Sequence, residues 1–454
     1  MNQPAFAPPP AANVILRRLQ DCGHEAWLVG GCVRDSLLGI PPKDWDICTS
    51  ATPAEMSGAF AGWKTIPTGL RHGTVTVRLE GQGWEVTSYR VEEGYTDHRR
   101  PDAVRFVREL EADLARRDFT VNAMAWHPDR GLRDPFGGAA DLRGRVLRCV
   151  GEPDRRFEED ALRILRGVRF AARYGLLPHP DTAAAIHRRR DTLRRVAPER
   201  CCAELRRLLC APGESLAPVL TAFWDVLTVL PGLAPLGEMP GYHQQNPHHH
   251  LDLQGHTIQA VVSVPPEEGL RFAALLHDAG KPGCRTVDQD GVAHFYGHGK
   301  ASAQLAEKAL RALRCENALR RRVVELVELH DAWVPPTPAA ARRWLGRLGE
   351  AGLRDLLALQ RGDTLAHAPD CRPPRLARLD QWEALVAEAV AQSHCLALKD
   401  LTVGGRELMA LGYPPGPELG AALAFLLAEV VEGRLENRRE ALLAAAEERR
   451  RGQS

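Results

Sequence analysis

The stretch GGCVRDSLLGIPPKDWDICTS (Gly30–Ser50) opens on paired glycines and closes on two carboxylates, Asp44 and Asp46, one residue apart. Ahead of it, AWLV (Ala26–Val29) reads as a strand, so Gly30 and Gly31 make a turn whose backbone N–H groups lead into a helix start. Such a turn cradles anionic phosphates, and Arg34 adds positive charge beside it. In a strand, residues i and i+2 share a face about 6–7 Å apart. Asp44 and Asp46 are therefore expected to project together, with Trp45 turned to the opposite, packed side. Two carboxylates that close repel unless a cation neutralises them, and an oxygen-only set favours Mg2+. Two cations ~3.5–4 Å apart is the arrangement for in-line phosphoryl displacement. Glu85, in the strand-like WEVTSYR (Trp84–Arg90), supplies a third carboxylate on a neighbouring strand. Alone, the Asp-x-Asp pair is a weak signal that a solvent-facing turn explains better.

Working outward, the 454 residues allow two to four domains. Lys+Arg 59 against Asp+Glu 58 leaves a formal net charge of +1, so any polyanion must be held by local patches. Two arginine-rich stretches, His187–Arg207 and Arg311–Arg322, fit either such patches or solvated helix faces. Eleven cysteines without a CxxC pair suit a reduced, cytoplasmic protein rather than a disulfide or zinc-thiolate framework. No apolar run approaches the ~18 residues that would cross a bilayer. The expected class is α+β. A disordered tail (1–12) precedes a head with a small mixed sheet (13–150), in which TVTVRLE and WEVTSYR are further strands. An elongated all-α body follows: neck 151–245, a histidine-rich domain 246–370 and a tail 371–454, with the last boundary at Pro369–Pro374.

Beyond Gly30–Thr49 the head carries RHGTVTV (Arg71–Val77), RRDFTVNAMAW (Arg116–Trp126), DPFGGAADL (Asp134–Leu142) and EDALRILRGVRFAARYG (Glu159–Gly175). Together these resemble a bacterial class II tRNA nucleotidyltransferase, of the CCA-adding enzyme and poly(A) polymerase family, over about Ala26–Gly175. The resemblance implies that Asp44 and Asp46 hold Mg2+. It places Gly30, Gly31, Arg34 and Asp35 in the triphosphate motif, and Arg116, Arg117, Asp118 and Asn122 on triphosphate and ribose. An RNA 3′-hydroxyl then attacks the α-phosphorus and pyrophosphate leaves, chiefly by positioning and charge neutralisation. CTP and ATP would be the substrates and the acceptor end of tRNA the partner, for a monomer or homodimer.

Within EDALRILRGVRF, Asp160 and Arg163 stand three apart and are expected as neighbours on one helix surface, with Arg166 and Arg169 on the adjoining strip. A local ion pair is one reading. A base-selecting pair is the other: carboxylate accepts and guanidinium donates, which matches the amino donor and ring-nitrogen acceptor shared by cytosine and adenine. Guanine and uracil would leave both groups unpaired, at about 1–3 kcal/mol each. The family's EDxxR motif resembles this pair. Its C-to-A switching segment is matched by Tyr89–Phe106, which argues against C-only addition but leaves A-only addition and poly(A) synthesis open.

A second constellation, His256, His277, Asp278 and Asp363 with His298 and His330, resembles an HD-superfamily metal-dependent phosphohydrolase. Mixed imidazole and carboxylate ligands suit Mn, Fe, Co, Ni or Zn. His298 and His330 would complete a second metal position, and hydrolysis of a 2′,3′-cyclic phosphate or 2′-phosphate at an RNA end is the implied activity. His243 and His248–His250 lie just upstream. GYPPGPELG (Gly412–Gly420) resembles the family's tRNA-contacting tail. A chiefly hydrolytic enzyme with a non-catalytic, RNA-binding head is the contrasting reading, weakened by the intact head motifs.

Overall fold

The computed structural model describes residues 6–93, 103–391 and 398–452. The chain forms two compact units, Met1–Gly237 with Ala309–Cys315, and Glu238–Lys308 with Glu316–Ser454.

The first unit is built on a seven-stranded mixed sheet in the order Lys64–Gly69, Thr74–Leu79, Gln82–Ser88, Ile47–Thr49, Ala26–Val29, Ala125–His127, Gly131–Arg133. Alternation works as expected in Gln82–Ser88, where Trp84, Val86 and Ser88 are buried and Glu85 is exposed. Ala26–Val29 is buried along its whole length because it is central and pairs antiparallel on both sides. Trp27, Val29, Cys48, Tyr89, Leu114 and Ala125 share one core cluster.

The disordered tail expected over 1–12 is not what the described part shows: residues 6–9 carry no regular secondary structure, but they are followed at Pro10 by a helix. Phe6 stacks on Trp126 with ring centroids 4.7 Å apart, and a helix spans Pro10–Asp21. Proline suits the first helical turn, and Ala11, Ala12, Ile15, Leu16 and Leu19 bury one stripe of that helix.

Residues Arg90–Glu93 and Ala103–Phe106 pair as an antiparallel ribbon, so the flanks of the Tyr89–Phe106 segment are ordered; residues 94–102 lie outside the described residues. Past the sheet the unit is mostly helical, including Pro153–Glu159, Leu162–Tyr174 and Pro198–Leu209.

The second unit is almost wholly helical, with Leu253–Ser263, Glu268–Leu276, Asn317–Leu329, Pro338–Ala366 and Arg372–Ala391. The boundary expected at Pro369–Pro374 falls inside a core. Leu345, Leu353 and Leu357 from one helix pack with Leu379, Trp382 and Val386 from the next, because Pro369–Cys371 forms a turn that folds the chain back. A separate small core starts at Leu401 and runs to Ala446. Among the described residues no helix is long and apolar enough to cross a membrane.

Candidate functional site

Asp44 and Asp46 stand just ahead of the three-residue strand Ile47–Thr49 rather than on it. The Asp46 carbonyl still accepts from the Val29 amide at 3.0 Å, which holds this segment extended against the central strand. Ile47 pairs with Val86 in parallel register, so Asp46 and Glu85 are the next residues back along adjacent strands. Asp44, Asp46 and Glu85 border one cleft of about 590 Å³. Trp45, expected on the opposite side, is half-buried and borders the same cleft. Partial desolvation, then the Glu85 charge, push the Asp46 carboxyl above its ordinary pKa; Asp44 adds to this and Arg117 opposes it. Three carboxylates bordering one cleft fit a hard divalent cation through their oxygens.

Asp46 also borders a second cleft of about 360 Å³, whose other walls include Gly30, Arg34, Arg117, Asp160, Arg163 and Arg166. Gly30 takes φ +77°, and a Cβ there would stand 3.0 Å from Arg117 Nη1, so glycine lets the guanidinium close over the turn. Arg34 is buried. It donates to Asp35 Oδ1 at 2.7 Å and to Asn122 Oδ1 at 2.5 Å, and its guanidinium lies 4.3 Å above the Tyr174 ring. Asp118 accepts from Arg166 at 2.7 Å, from Asn122 at 3.0 Å and from the Phe119 amide at 2.8 Å. Burial alone would raise its pKa, but the Arg166 charge and these bonds hold it well below the usual carboxylate range.

Asp160 and Arg163 are not a pair on one helix. Asp160 sits in extended backbone, φ −143° and ψ 104°, at the break between Pro153–Glu159 and Leu162–Tyr174. Its carboxylate accepts from the Leu162 amide at 3.1 Å and from Arg200 at 2.9 Å. Arg163 pairs instead with Glu159 at 2.7 Å and donates to the Arg116 carbonyl at 3.1 Å. Both side chains still border the arginine-lined cleft. Arg169, expected on the nucleotide side, pairs with Glu204 at 2.5 Å and covers the Phe170 ring at 4.1 Å.

In the second unit the six predicted metal ligands converge. His256, His277, Asp278 and Asp363 offer ligand atoms within 4.8 Å of one another, and so do Asp278, His298 and His330, with Asp278 common to both groups. Each imidazole is oriented through Nδ1 by a backbone carbonyl: His277 by Ala274 at 2.8 Å, His298 by Phe295 at 2.8 Å, His330 by Val327 at 2.7 Å and His256 by Ala366 at 3.3 Å. That fixes one tautomer and turns every Nε2 inward, the outer-sphere arrangement typical of metal-ligating histidines. Burial opposes charge on His277, yet Asp278 and Asp363 lift its pKa to about 10. Burial would raise Asp278 too, but His277 and Lys281 hold it well below the ordinary value. The Asp278 oxygens take no hydrogen bond from a well-aligned donor, although Lys281 Nζ stands 2.7 Å from Oδ2. This donor set fits a divalent transition metal.

Residues 26–148 match the family described as the poly A polymerase head domain, and residues 292–446 match a putative tRNA nucleotidyltransferase domain 2. A CCA-adding enzyme of Limosilactobacillus fermentum is 35% identical over 439 residues, 96% of each chain. The chain belongs to the CCA-adding enzyme family of nucleotidyltransferases. Another member, from Latilactobacillus sakei, is 36% identical over 98% of this chain and 100% of its own. A crystal structure of the Bacillus stearothermophilus CCA-adding enzyme in complex with CTP superposes with TM-score 0.71 at 30% identity, covering 98% of this chain and 99% of that one.

For a member of this family, sequence reasoning missed the supports of the arginines. Asp113 is 1% exposed and accepts from Arg116 at 2.7 Å and Arg117 at 3.1 Å. Glu159 holds Arg163, and Arg200 holds Asp160. The i+3 and i+4 spacing of Asp113 to Arg116 and Arg117 was a readable signal; no local signal marked Arg200, which lies 40 residues from Asp160. His249, near the second cluster, packs 4.9 Å from His256 and 4.6 Å from His367.

Proposed function

We propose that this cytoplasmic enzyme adds C, C and A to the 3′ end of tRNA from CTP and ATP, without a nucleic-acid template. The observation that carries this reading is the junction at Asp46 of an acidic cleft with an arginine-lined one that contains both Asp160 and Arg163. Asp44 and Asp46, with Glu85 beside them, would hold Mg2+, which when bound neutralises charge on the reacting phosphates. Gly30 and Gly31 let backbone N–H groups approach a triphosphate, and Arg34, Arg116 and Arg117 face it with charge. Arg34 is held by Asp35 and Asn122, and Arg116 and Arg117 are held by Asp113, so the phosphate-facing arginines start close to their binding geometry. The RNA 3′-hydroxyl oxygen bonds to the α-phosphorus, the α–β bridging bond breaks, pyrophosphate leaves, and the hydroxyl proton goes to solvent or a carboxylate.

Asp160 has about four acceptor sites and uses two on Leu162 and Arg200, so it retains capacity for an exocyclic amino group. Arg163, steadied by Glu159, supplies the donor to a ring nitrogen. Full-length protein is incubated with tRNA lacking CCA, or ending in C or CC, and with single labelled nucleotides, and the 3′ ends are sequenced. CTP use and a halt after CCA support the reading. ATP use on CC ends alone marks an A-adding enzyme, and long A tails mark a poly(A) polymerase.

A second activity is favoured by the histidine–aspartate cluster. We propose that His256, His277, Asp278 and Asp363, with His298 and His330, hold divalent metal and support phosphoester hydrolysis at RNA ends. A water oxygen bonds to phosphorus, the ester P–O bond breaks, and the alcohol leaves with a proton. Such trimming leaves the free 3′-hydroxyl that the head requires. Absence of both ring opening at 2′,3′-cyclic phosphate ends and phosphate release from 2′-phosphate ends, with Mn2+, Co2+, Ni2+, Zn2+ or Mg2+ added, would overturn it.

A further inference from the structure

The helix Pro198–Leu209 carries Arg200, which holds Asp160, and Glu204, which holds Arg169. Between them stands Cys202, 4% exposed. Its Sγ lies 3.0 Å from the Sγ of Cys315, 113 positions along the chain, and both cysteines are reduced. A disulfide bond is about 2.05 Å long, so the sulfurs need close only about 1 Å more. The same two segments meet a second time. Glu199 and Cys202, three residues apart, share one face of the helix, and Glu199 pairs with Arg314, the neighbour of Cys315, at 2.5 Å. The partner segment is held in its turn. The chain leaves the first unit after Gly237, returns to it for Ala309–Cys315 and leaves again. In that return Leu310 and Leu313 are buried. Gly232 has φ +78°, and a Cβ there would stand 2.5 Å from the Ala309 Cα, so glycine lets the returning segment pack close. The helix His298–Ala312 ends in a cap in which Arg314 takes φ +55°. The Arg314 amide donates to the Arg311 carbonyl at 3.0 Å and the Cys315 amide to the Leu310 carbonyl at 2.9 Å. Two thiols are thus presented to each other by a helix and a capped helix end, both within the first unit.

We propose that Cys202 and Cys315 are a redox modification site, at which a small peroxide forms a reversible disulfide that staples the returning segment to the helix steadying Asp160. Cys315 lies past its helix end and, at 7% exposure, is the more open of the two thiols. Its thiolate attacks the peroxide: an S–O bond forms, the O–O bond breaks and hydroxide leaves, giving a sulfenic acid. The Cys202 sulfur then attacks the Cys315 sulfur, the S–S bond forms, the S–O bond breaks, and water leaves with the Cys202 proton. Two thiols are oxidised and one peroxide is reduced to two waters; a dithiol reductant reverses the bond. A disulfide of this kind forms transiently in a compartment that otherwise keeps thiols reduced. Closing so long a loop restricts the unfolded chain more than a short loop would. The side that gives is Cys315, which is not within a helix, so Arg200 and Glu204 keep their places and nucleotide addition continues.

The test treats the full chain with hydrogen peroxide, blocks the remaining thiols with an alkylating agent, and maps the digested protein by mass spectrometry. A cross-link between the peptides bearing Cys202 and Cys315 is expected, and dithiothreitol should remove it. It should persist in Cys201→Ala, where the adjacent thiol can no longer stand in for Cys202. Oxidation should raise the thermal transition of the wild-type chain by about 5 °C or more, with the rate of CTP addition to tRNA within twofold of the reduced chain. Cys202→Ala and Cys315→Ser, each compared with itself before and after peroxide, should show no such rise, and this comparison is independent of any stability the substitution itself costs. Absence of the cross-link at a peroxide dose that has already modified the exposed Cys22 overturns the proposal. So does a rise in melting temperature that survives in both variants. A cross-link that leaves the melting temperature unchanged, or that abolishes nucleotide addition, overturns the staple. The cross-link and the melting shift are read without any assay of activity, so they stand or fall separately from the CCA-adding reading.

Discussion

Asp113→Asn removes one buried negative charge with almost no change of shape. In the native chain Oδ1 accepts from Arg116 Nε at 3.0 Å, Arg116 Nη2 at 2.7 Å and the Arg90 amide at 3.3 Å, and Oδ2 accepts from Arg117 Nη2 at 3.1 Å. An amide offers one oxygen, so whichever way it turns, an N–H2 group faces an arginine donor. Each charge-assisted bond contributes ~1.5–3 kcal/mol, and stranding a charge inside a protein costs roughly 3–5 kcal/mol at the upper limit. We expect about 2–4 kcal/mol of lost stability in the head, and a KM for CTP and ATP raised about tenfold or more as Arg116 and Arg117 lose their anchor. The pH dependence has a definite sign. Burial would raise the Asp113 pKa, but Arg117 and Arg116 overcome it and hold it below the ordinary value. Its contribution is therefore fully present above about pH 4, the unfolded carboxylate range, and is lost as pH falls through the lower folded value. The melting-temperature gap between wild type and variant should stay flat from neutral to alkaline pH and shrink only in acid. Steady-state nucleotide addition and thermal melts measure both effects. A KM within twofold of wild type, with an unchanged melting temperature, would refute the assignment.

Replacing Asp44 and Asp46 together by Asn should slow nucleotide addition by roughly 10³ or more, as several kcal/mol of charge neutralisation are lost. Retained rate with labelled CTP would sink the acidic-cleft reading. Glu159→Gln loosens the 2.7 Å tether on Arg163 and is expected to raise GTP and UTP misincorporation about tenfold, a shift of ~1.4 kcal/mol. Sequencing of the extended ends reports it, and unchanged base choice counts against Arg163 as the donor. His277→Ala takes away a ligand of the four-residue cluster; metal bound per chain, measured by elemental analysis, should fall and phosphate release should vanish while nucleotide addition continues. Unaltered phosphate release would remove the cluster from the chemistry.

What could be read from the chain divides by the distance over which each feature is encoded. The glycine turn, the Asp44–Asp46 pair and the strands around Val29 and Val86 depend on residues a few positions apart, and the sheet forms around them. Which residues converge in the histidine–aspartate cluster was legible too, although the orientation of their rings was not. The carbonyls of Ala274, Phe295, Val327 and Ala366 set it, and a backbone carbonyl has no residue signature. Asp160 shows the limit most clearly. Helical periodicity through EDALRILRGVRF treats it as one more surface position beside Arg163, and no Pro or Gly marks a break there. The chain breaks nonetheless, because the Asp160 side chain satisfies the Leu162 amide that the first turn leaves open, while Arg200 meets its other oxygen. A carboxylate on a continuous helix would be spent on a neighbouring arginine. Placed at a break and steadied from the Pro198–Leu209 helix, it points into the cleft with acceptor sites to spare. The departure from periodicity is thus what makes the residue available to a base, and a pattern-based reading loses the feature for the same reason that the feature is useful.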